Sequence, residues 1–145
     1  MPEQTFTASM DFIPKAMDFL RSQLGEKHAA LASHVELAVE ELLINIVNYA
    51  YPDISAKQTD PPVFLLGCRW VNLDGEDQFG VWIKDWGRPF DPFRQIATPD
   101  TSLSVEEREI GGLGVHLVKH ITSHYAYSGS DGSNTVEVYF SVHED

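Results

Sequence analysis

Three short segments with polar residues or glycines constrain this chain more than any other feature of its sequence. They are Glu-Leu-Leu-Ile-Asn at residues 41–45, Asp-Trp-Gly-Arg-Pro-Phe-Asp-Pro at residues 85–92 and Gly-Gly-Leu-Gly at residues 111–114. A helix turns by about 100° per residue, so Glu41 and Asn45 lie on one face and reach the same ligand. A carboxylate and a carboxamide at this spacing suit a Mg²⁺ ion with its water molecules.

The other two segments have the chemistry for a purine and for phosphate. Asp85 ends an apolar, strand-like run, and Gly87 lets the chain turn and another group approach closely. A carboxylate in this position can accept a hydrogen bond from an adenine amino group. The glycines at 111–114 precede an apolar helix predicted over residues 115–121, where free backbone N–H groups and the helix dipole favour a phosphate. Together, the three segments predict an ATP site.

Length and composition predict one domain over residues 1–145. A chain of 145 residues with 43% hydrophobic content can bury roughly two thirds of its unfolded surface. No apolar run reaches the roughly 20 residues of a membrane span, and the first residues do not resemble a signal peptide. We therefore expect a cytoplasmic protein that does not bind a membrane. The single cysteine, Cys68, is interpreted as a core residue rather than a reactive thiol.

The charge of the chain bears on the class of partner. It has 22 acidic and 10 basic residues, which give a formal net charge of −12 at pH 7. This charge opposes binding to phosphate backbones, so we expect no nucleic-acid partner. The acidic excess is consistent either with a basic protein partner or with solubility alone.

Hydrophobic periodicity and turn residues predict an α+β fold. The predicted strands lie at residues 4–9, 63–72, 78–84, 124–130 and 134–142, and the predicted helices at residues 14–24, 33–49 and 115–121. Asp11 is predicted to cap the first helix, and Asp74 and Gly75 to turn the hairpin between the second and third strands. Residues 88–110 show no clear period, and a loop of this length in a compact domain is usually functional or mobile. We predict two layers, with helices on one face of a mixed, mostly antiparallel sheet.

The three segments, in this order, resemble the GHKL-type ATPase domain that histidine kinases, gyrase B and MutL share. Within that superfamily the chain is similar to small stand-alone members, the anti-sigma factors of the RsbW and SpoIIAB type, which are also serine-protein kinases. The resemblance runs over residues 5–142 and includes the Tyr-Ala-Tyr at the end of the long helix and the Phe-Asp-Pro of the second segment. It implies the Bergerat ATP-binding fold, with an ATP lid at residues 88–110.

The resemblance also implies a role for each site residue. Glu41 would be the general base, Asn45 the Mg²⁺ ligand, and Asp85 with Gly87 the adenine site. Thr135 would support the adenine-binding carboxylate. The residues implied to contact the nucleotide phosphates are Asn48, Gly111, Gly112, Leu113 and Gly114.

Alternatives remain open at several of these positions. The local sequence is also compatible with Glu41 as a solvated helix residue, Asp85 as a strand-end turn residue and Asn48 as a helix-surface amide. Arg88 and Lys119 are candidates either to approach phosphates or to lie in solvent.

Two departures from the family pattern bear on catalysis. Tyr49 stands where many relatives have histidine, and the predicted lid is rich in acidic residues. Slow or absent turnover is therefore compatible with tight binding of ATP.

The resemblance implies an ATP-binding anti-sigma regulatory factor with serine/threonine-protein kinase activity. Such a protein would transfer the γ-phosphate of Mg-ATP to a protein antagonist of the anti-anti-sigma type, sequester a sigma factor and form a homodimer. The chain lacks the glycine-rich loop, strand lysine and His-Arg-Asp set of eukaryotic-type kinases. Two other hypotheses share the fold: a nucleotide-sensing binding module without phosphate transfer, and a protein-interaction domain with a degenerate site.

Overall fold

A five-stranded antiparallel sheet forms one layer of the structure, a computed structural model that describes residues 2–51, 62–95, 112–130 and 132–142. The strands are β1 (Glu3–Thr7), β2 (Val63–Leu73), β3 (Glu76–Asp85), β4 (His124–Ser130) and β5 (Ser133–Ser141). Their order in the sheet is β1-β2-β3-β5-β4, and each neighbouring pair is antiparallel. The order places β3 at the centre, so the carboxylate at its end lies between neighbouring strands.

Helices form the second layer. They are α1 (Ile13–Leu24), α2 (Ala29–Asn45), the short α3 (Pro92–Gln95) and α4 (Gly112–Ile121). Helix α2 contacts both α1 and α4. Along β5, buried residues alternate with half-buried ones, so one face of the sheet packs on the apolar core that the helices complete. This two-layer α+β architecture confirms the prediction from the sequence.

A short 3₁₀ turn, Met10–Phe12, precedes α1. The prediction that Asp11 caps α1 is wrong. Ser9 is the capping residue, because its Oγ accepts a hydrogen bond of 3.3 Å from the backbone N–H of Asp11 in the 3₁₀ turn. Proline in the first turn of α1 needs no hydrogen-bond partner, and Gly25, with φ 74°, ends the helix.

The long helix ends differently from the prediction. It begins at Ala29, and after Asn45 the hydrogen-bond pattern widens into a π segment, Ile46–Ala50. The backbone N–H of Tyr51 closes this segment by donating to the carbonyl oxygen of Ile46 over 3.1 Å. Single π turns inside or after α-helices occur frequently at functional sites, and this one directly follows a predicted ligand residue.

The two predicted hairpins are present. Asp74 and Gly75 have φ of 53° and 87°, the left-handed pair that a two-residue turn between twisted strands requires. Strands β4 and β5 pair in register up to Ser130 and Ser133. Of the predicted lid, residues 88–95 are described and include α3, whereas residues 96–110 lie outside the described residues. Within the described ranges, no helix is long and apolar enough to cross a membrane.

Candidate functional site

The carboxylate of Asp85 is buried at the end of β3, where its side chain is 3% exposed. Its Oδ1 accepts two hydrogen bonds of 2.9 Å, one from the backbone N–H of Gly87 and one from Nδ2 of Asn134. Among the described residues, no donor reaches Oδ2 and no cation pairs with this carboxylate. Burial raises the pKa of Asp85, and the two hydrogen bonds act in the opposite direction. Hydrogen bonds therefore fix one oxygen, and the other makes none within the described residues.

Asn134 holds this arrangement together. Besides Asp85, its Nδ2 donates to the carbonyl oxygen of Arg88 over 2.9 Å. Its Oδ1 accepts from the backbone N–H of Phe90 over 3.2 Å and from the hydroxyl of Tyr127. Both donors and both lone pairs of this buried amide are thus in use, which determines its orientation. The amide connects the loop after β3 to the start of β5.

Thr135 does not lie beside Asp85. In the sheet register Asp85 pairs with Asn134, and Thr135 pairs with Lys84 on β3 and with Ser128 on β4. Successive residues of a strand point to opposite faces, so Thr135 faces away from the core on which Asn134 packs. The structure gives to Asn134 the supporting position that the sequence assigned to Thr135.

Gly87 lies against the π segment. A Cβ at this position would come within 2.4 Å of the carbonyl oxygen of Ala50, so there is no room for a side chain. The next residue, Arg88, donates from its backbone N–H to the same carbonyl oxygen over 3.1 Å and from Nε to the carbonyl oxygen of Tyr49 over 2.6 Å. These contacts dock the loop after β3 onto the end of the long helix.

A tyrosine hydroxyl adds a second link between the same elements. Tyr51 Oη accepts from the backbone N–H of Trp86 over 2.7 Å and donates to the carbonyl oxygen of Val63 over 2.9 Å. Burial raises the pKa of this tyrosine, so the hydroxyl keeps its proton and continues to donate. The π segment, the start of β2 and the end of β3 therefore form one connected unit.

Glu41 and the glycine segment meet on the helical side of the site. A Cβ on Gly114 would lie 1.9 Å from Oε2 of Glu41, so the carboxylate rests directly on the first turn of α4. The pKa of Glu41 is raised, mainly by burial and to a smaller extent by the charge of Glu40. A partly buried carboxylate with a raised pKa has the chemistry of a general base.

Asn45 has a buried polar group without a partner. Its side chain is 2% exposed, and among the described residues Nδ2 makes no hydrogen bond. An unpaired buried amide costs free energy, so a ligand that bound here and paired with the amide would be stabilised. A 180° turn of the amide would offer the carbonyl oxygen instead, which is the atom that Mg²⁺ prefers. The residue therefore fits the predicted metal ligand.

Comparison with known proteins agrees with this geometry. The family model described as histidine kinase-like ATPase domain matches residues 6–140. The chain belongs to the histidine kinase-like ATPase family. Its fold is similar to a crystal structure of the RsbU and RsbW domains of Rv1364c from Mycobacterium tuberculosis, with a TM-score of 0.55 and 15% sequence identity. That match covers 97% of this chain and 32% of the other chain, so it shows a common fold with part of a longer protein. Among curated proteins, none matches the chain significantly.

Membership of the histidine kinase-like ATPase family implies nucleotide binding. A magnesium ion in such a domain needs little from the protein, because it takes most of its oxygen ligands from phosphates and water. Within the described residues there is no cluster of three or more His, Cys, Asp or Glu side chains able to hold a metal. The amide oxygen of Asn45 has the chemistry that the resemblance implies for a Mg²⁺ ligand.

The structure places the remaining predicted residues as follows. Asn48 is exposed in the π segment, and Gly112 and Leu113 open α4 in front of the residue that contacts Glu41. Gly111 lies outside the described residues. The two basic candidates bind backbone carbonyls, since Lys119 Nζ donates to Phe93 O over 2.9 Å and Arg88 donates to Tyr49 O.

Sequence reasoning missed Asn134 and the hydroxyl of Tyr51. A signal for Asn134 exists, because the alternation of β5 puts residue 134 on the same face as Val136 and Val138. A polar residue at a core-facing position indicates a buried hydrogen-bond partner. For Tyr51 the chain offers no such signal, since its two partners lie in distant segments.

Proposed function

We propose that this chain is an ATP-binding anti-sigma regulatory factor that phosphorylates a serine or threonine of a protein antagonist. The observation that carries the proposal is the carboxylate of Asp85, buried, held at Oδ1 by two N–H donors and available at Oδ2. Family membership supports a nucleotide as the ligand. The fold shared with a protein that contains an RsbW domain supports the anti-sigma class.

Recognition of adenine would depend on Asp85. Oδ2 would accept a hydrogen bond from the exocyclic amino group, while Gly87, whose missing side chain leaves room for the Ala50 carbonyl, lets the adenine loop pack against the end of the long helix. Guanine carries a carbonyl oxygen in place of that amino group, and two acceptors facing each other inside a buried site are unfavourable. The site should therefore prefer ATP to GTP.

The triphosphate would lie toward α4 and the end of α2. Backbone N–H groups of Gly112, Leu113 and Gly114 at the start of α4 would contact phosphate oxygens, a role that the resemblance also implies for Gly111, and Asn48 would reach the same region. Asn45 would hold Mg²⁺ through its amide oxygen, and the bound ion would supply positive charge that stabilises the transferring phosphoryl group.

Glu41 would take the proton of the acceptor. The serine or threonine hydroxyl oxygen attacks the γ-phosphorus, its proton passes to the Glu41 carboxylate, and the bond to the β–γ bridging oxygen breaks as ADP leaves. Positioning of the reacting groups accounts for most of the rate acceleration in such a reaction, which is consistent with the few charged side chains among the described residues of the site. The acceptor belongs to an antagonist of the anti-anti-sigma type, a sigma factor is the regulated partner, and the chain acts as a homodimer.

One observation favours an alternative, a nucleotide-sensing module of the same fold that does not transfer phosphate. Arg88 follows the adenine loop, yet its Nε donates to the backbone of Tyr49, so the described loop aims no cation at a phosphate. In this alternative, ATP and ADP would change the conformation of the loop and thereby the affinity for a partner protein.

The experiment that separates these functions uses Glu41→Gln and Asp85→Ala in the full chain. Calorimetry with Mg-ATP and Mg-GTP measures binding, and mass spectrometry measures phosphorylation of a co-purified antagonist. The kinase proposal expects ATP binding by wild type and Glu41→Gln, phosphorylation by wild type only, and no binding by Asp85→Ala. Binding without phosphorylation in wild type would favour the sensing module. If wild type binds no ATP, both functions are wrong.

A further inference from the structure

Two histidines face each other on α4, apart from the nucleotide-binding residues. His116 and His120 are one helical turn apart, with their Nε2 atoms separated by 3.1 Å and their ring centroids by 4.5 Å. Val115 and Val118 of the same helix are buried, whereas His116 is half-buried and His120 is exposed. The pair is therefore accessible from solvent.

The separation of the two nitrogens matches that of two ligands on one metal ion. Zinc binds histidine nitrogens at about 2.0–2.1 Å, and a tetrahedral angle then places two such nitrogens about 3.3 Å apart. The helix provides this spacing because residues at i and i+4 lie above one another on the same face, and rotation of the two rings would direct both nitrogens at one ion. In the metal-free pair the same contact is a single N–H···N hydrogen bond, which a bound ion would replace.

We propose that His116 and His120 form a two-histidine chelating site for a borderline transition-metal cation such as Zn²⁺, Ni²⁺ or Cu²⁺. Imidazole nitrogens suit these ions, whereas Mg²⁺ prefers oxygen and does not compete for them. No third His, Cys, Asp or Glu joins the pair within the described part of the chain. The described residues therefore supply two ligands, and water or a donor outside them would fill the remaining coordination positions, unlike those of a closed structural zinc site.

Chelation would act on the helix whose first turn contacts Glu41. A metal held across residues 116–120 fixes one turn of α4, and Gly114 at the other end of that helix packs on Glu41. An ion that binds the folded state more tightly than the unfolded state raises the melting temperature in proportion to the logarithm of its concentration. This inference is independent of the proposed function, because it needs neither ATP nor an antagonist.

The test uses the untagged full chain, titrated with Ni²⁺ by calorimetry and with Cu²⁺ by electron paramagnetic resonance. We expect one site with two nitrogen ligands in wild type. His116→Ala and His120→Ala should each lose about 100-fold in affinity, since the second ligand otherwise binds intramolecularly. His34→Ala is the matched control, because it removes an exposed histidine of α2 that has alanines at positions 30 and 38.

A second control keeps the number of histidines and changes only their spacing. The double variant Leu117→His with His120→Ala places histidines at i and i+1, where they do not face each other, so it should bind as weakly as His120→Ala. Circular dichroism checks that each variant remains helical. The proposal is overturned if wild type shows no two-nitrogen site, if His34→Ala weakens binding as much as His120→Ala, or if the double variant binds like wild type.

Discussion

Asn134 donates a hydrogen bond from Nδ2 to Oδ1 of Asp85 over 2.9 Å and so joins the start of β5 to the end of β3. The bond leaves Oδ2 of the carboxylate for a ligand and fixes the direction in which it points. The same amide makes every hydrogen bond open to it, and two of these bonds hold the loop that leads to Phe90. The orientation of the proposed adenine-binding group is thus set by a side chain from a different strand.

Replacing Asn134 with alanine tests this support. The change removes four hydrogen bonds around a buried carboxylate, so we expect a loss of about 1–3 kcal/mol in the free energy of unfolding and weaker ATP binding. Urea unfolding and calorimetry with Mg-ATP measure the two effects. Thr135→Ala is the control on the adjacent residue and tests the role implied by the resemblance; it should bind ATP like wild type. The reverse result, in which only Thr135→Ala loses ATP binding, would contradict the placement of Asn134 beside Asp85.

Replacing Asp85 with asparagine should separate stability from binding. The new amide oxygen can accept the same two hydrogen bonds, while the amide nitrogen would oppose the amino group of adenine, so ATP binding should be lost. Because burial raises the pKa of Asp85, folding opposes its ionisation. The variant should therefore be at least as stable as wild type without nucleotide, as is common where a polar site is retained for function.

The sign of the pH dependence follows from the same raised pKa. A carboxyl group whose pKa is higher in the folded state stabilises the protein fully below its unfolded value, near 3.8, and loses that stability as pH rises through the folded value. The difference in unfolding free energy between Asp85→Asn and wild type should grow in favour of the variant from about pH 4 toward neutral pH. The raised pKa of Glu41 acts similarly but is common to both proteins, so it cancels. A difference that shrinks with pH would contradict the burial of this charge.

Gly114→Ala tests the contact between α4 and the proposed base. The new Cβ would meet Oε2 of Glu41 at 1.9 Å, so the carboxylate must move, and we expect phosphate transfer to fall more than ATP binding. Removing the carboxylate should relieve the contact. A double-mutant cycle with Glu41→Ala measures the coupling in the free energy of unfolding, which should be about 0.5–3 kcal/mol. Glu41→Ala should stabilise the protein more, or destabilise it less, in the Gly114→Ala background than in wild type. Additive effects would show that the two residues do not touch.

Much of the fold could be predicted because the relevant signals are local. Alternation and the Asp74-Gly75 pair are enough to place β2, β3 and the turn between them, since strand periodicity and left-handed turn residues act over a few positions. The π segment could not be predicted, because its partners are the loop after β3 and the start of β2. Asn134 and Thr135 differ by one position, and in a strand that difference moves a side chain to the other face.

Tyr51→Phe tests the link between the π segment and the adenine loop. The change leaves the backbone N–H of Trp86 and the carbonyl oxygen of Val63 without a shared partner, so we expect a loss of about 1–3 kcal/mol in unfolding free energy and weaker binding of ATP. Tyr125→Phe is the matched control, since Tyr125 is 43% exposed and should tolerate the loss of its hydroxyl. Equal stability of the two variants would contradict the proposed link.

Cys68 provides a chemical readout of nucleotide binding that needs no partner protein. The thiol is buried on β2, and burial raises its pKa to about 11, so few molecules carry a reactive thiolate near neutral pH. We expect a disulfide reagent to label the thiol only after the chain unfolds, with the fully denatured protein as the control for rapid labelling.

At an ATP concentration a hundred times its dissociation constant, binding adds about 2.7 kcal/mol to the free energy of unfolding. Where labelling follows the unfolding equilibrium, it should slow about 100-fold with Mg-ATP in wild type and remain unchanged in Asp85→Asn. Rapid labelling of the native protein would contradict the position of this thiol, and equal slowing of both proteins would show that ATP does not act through Asp85.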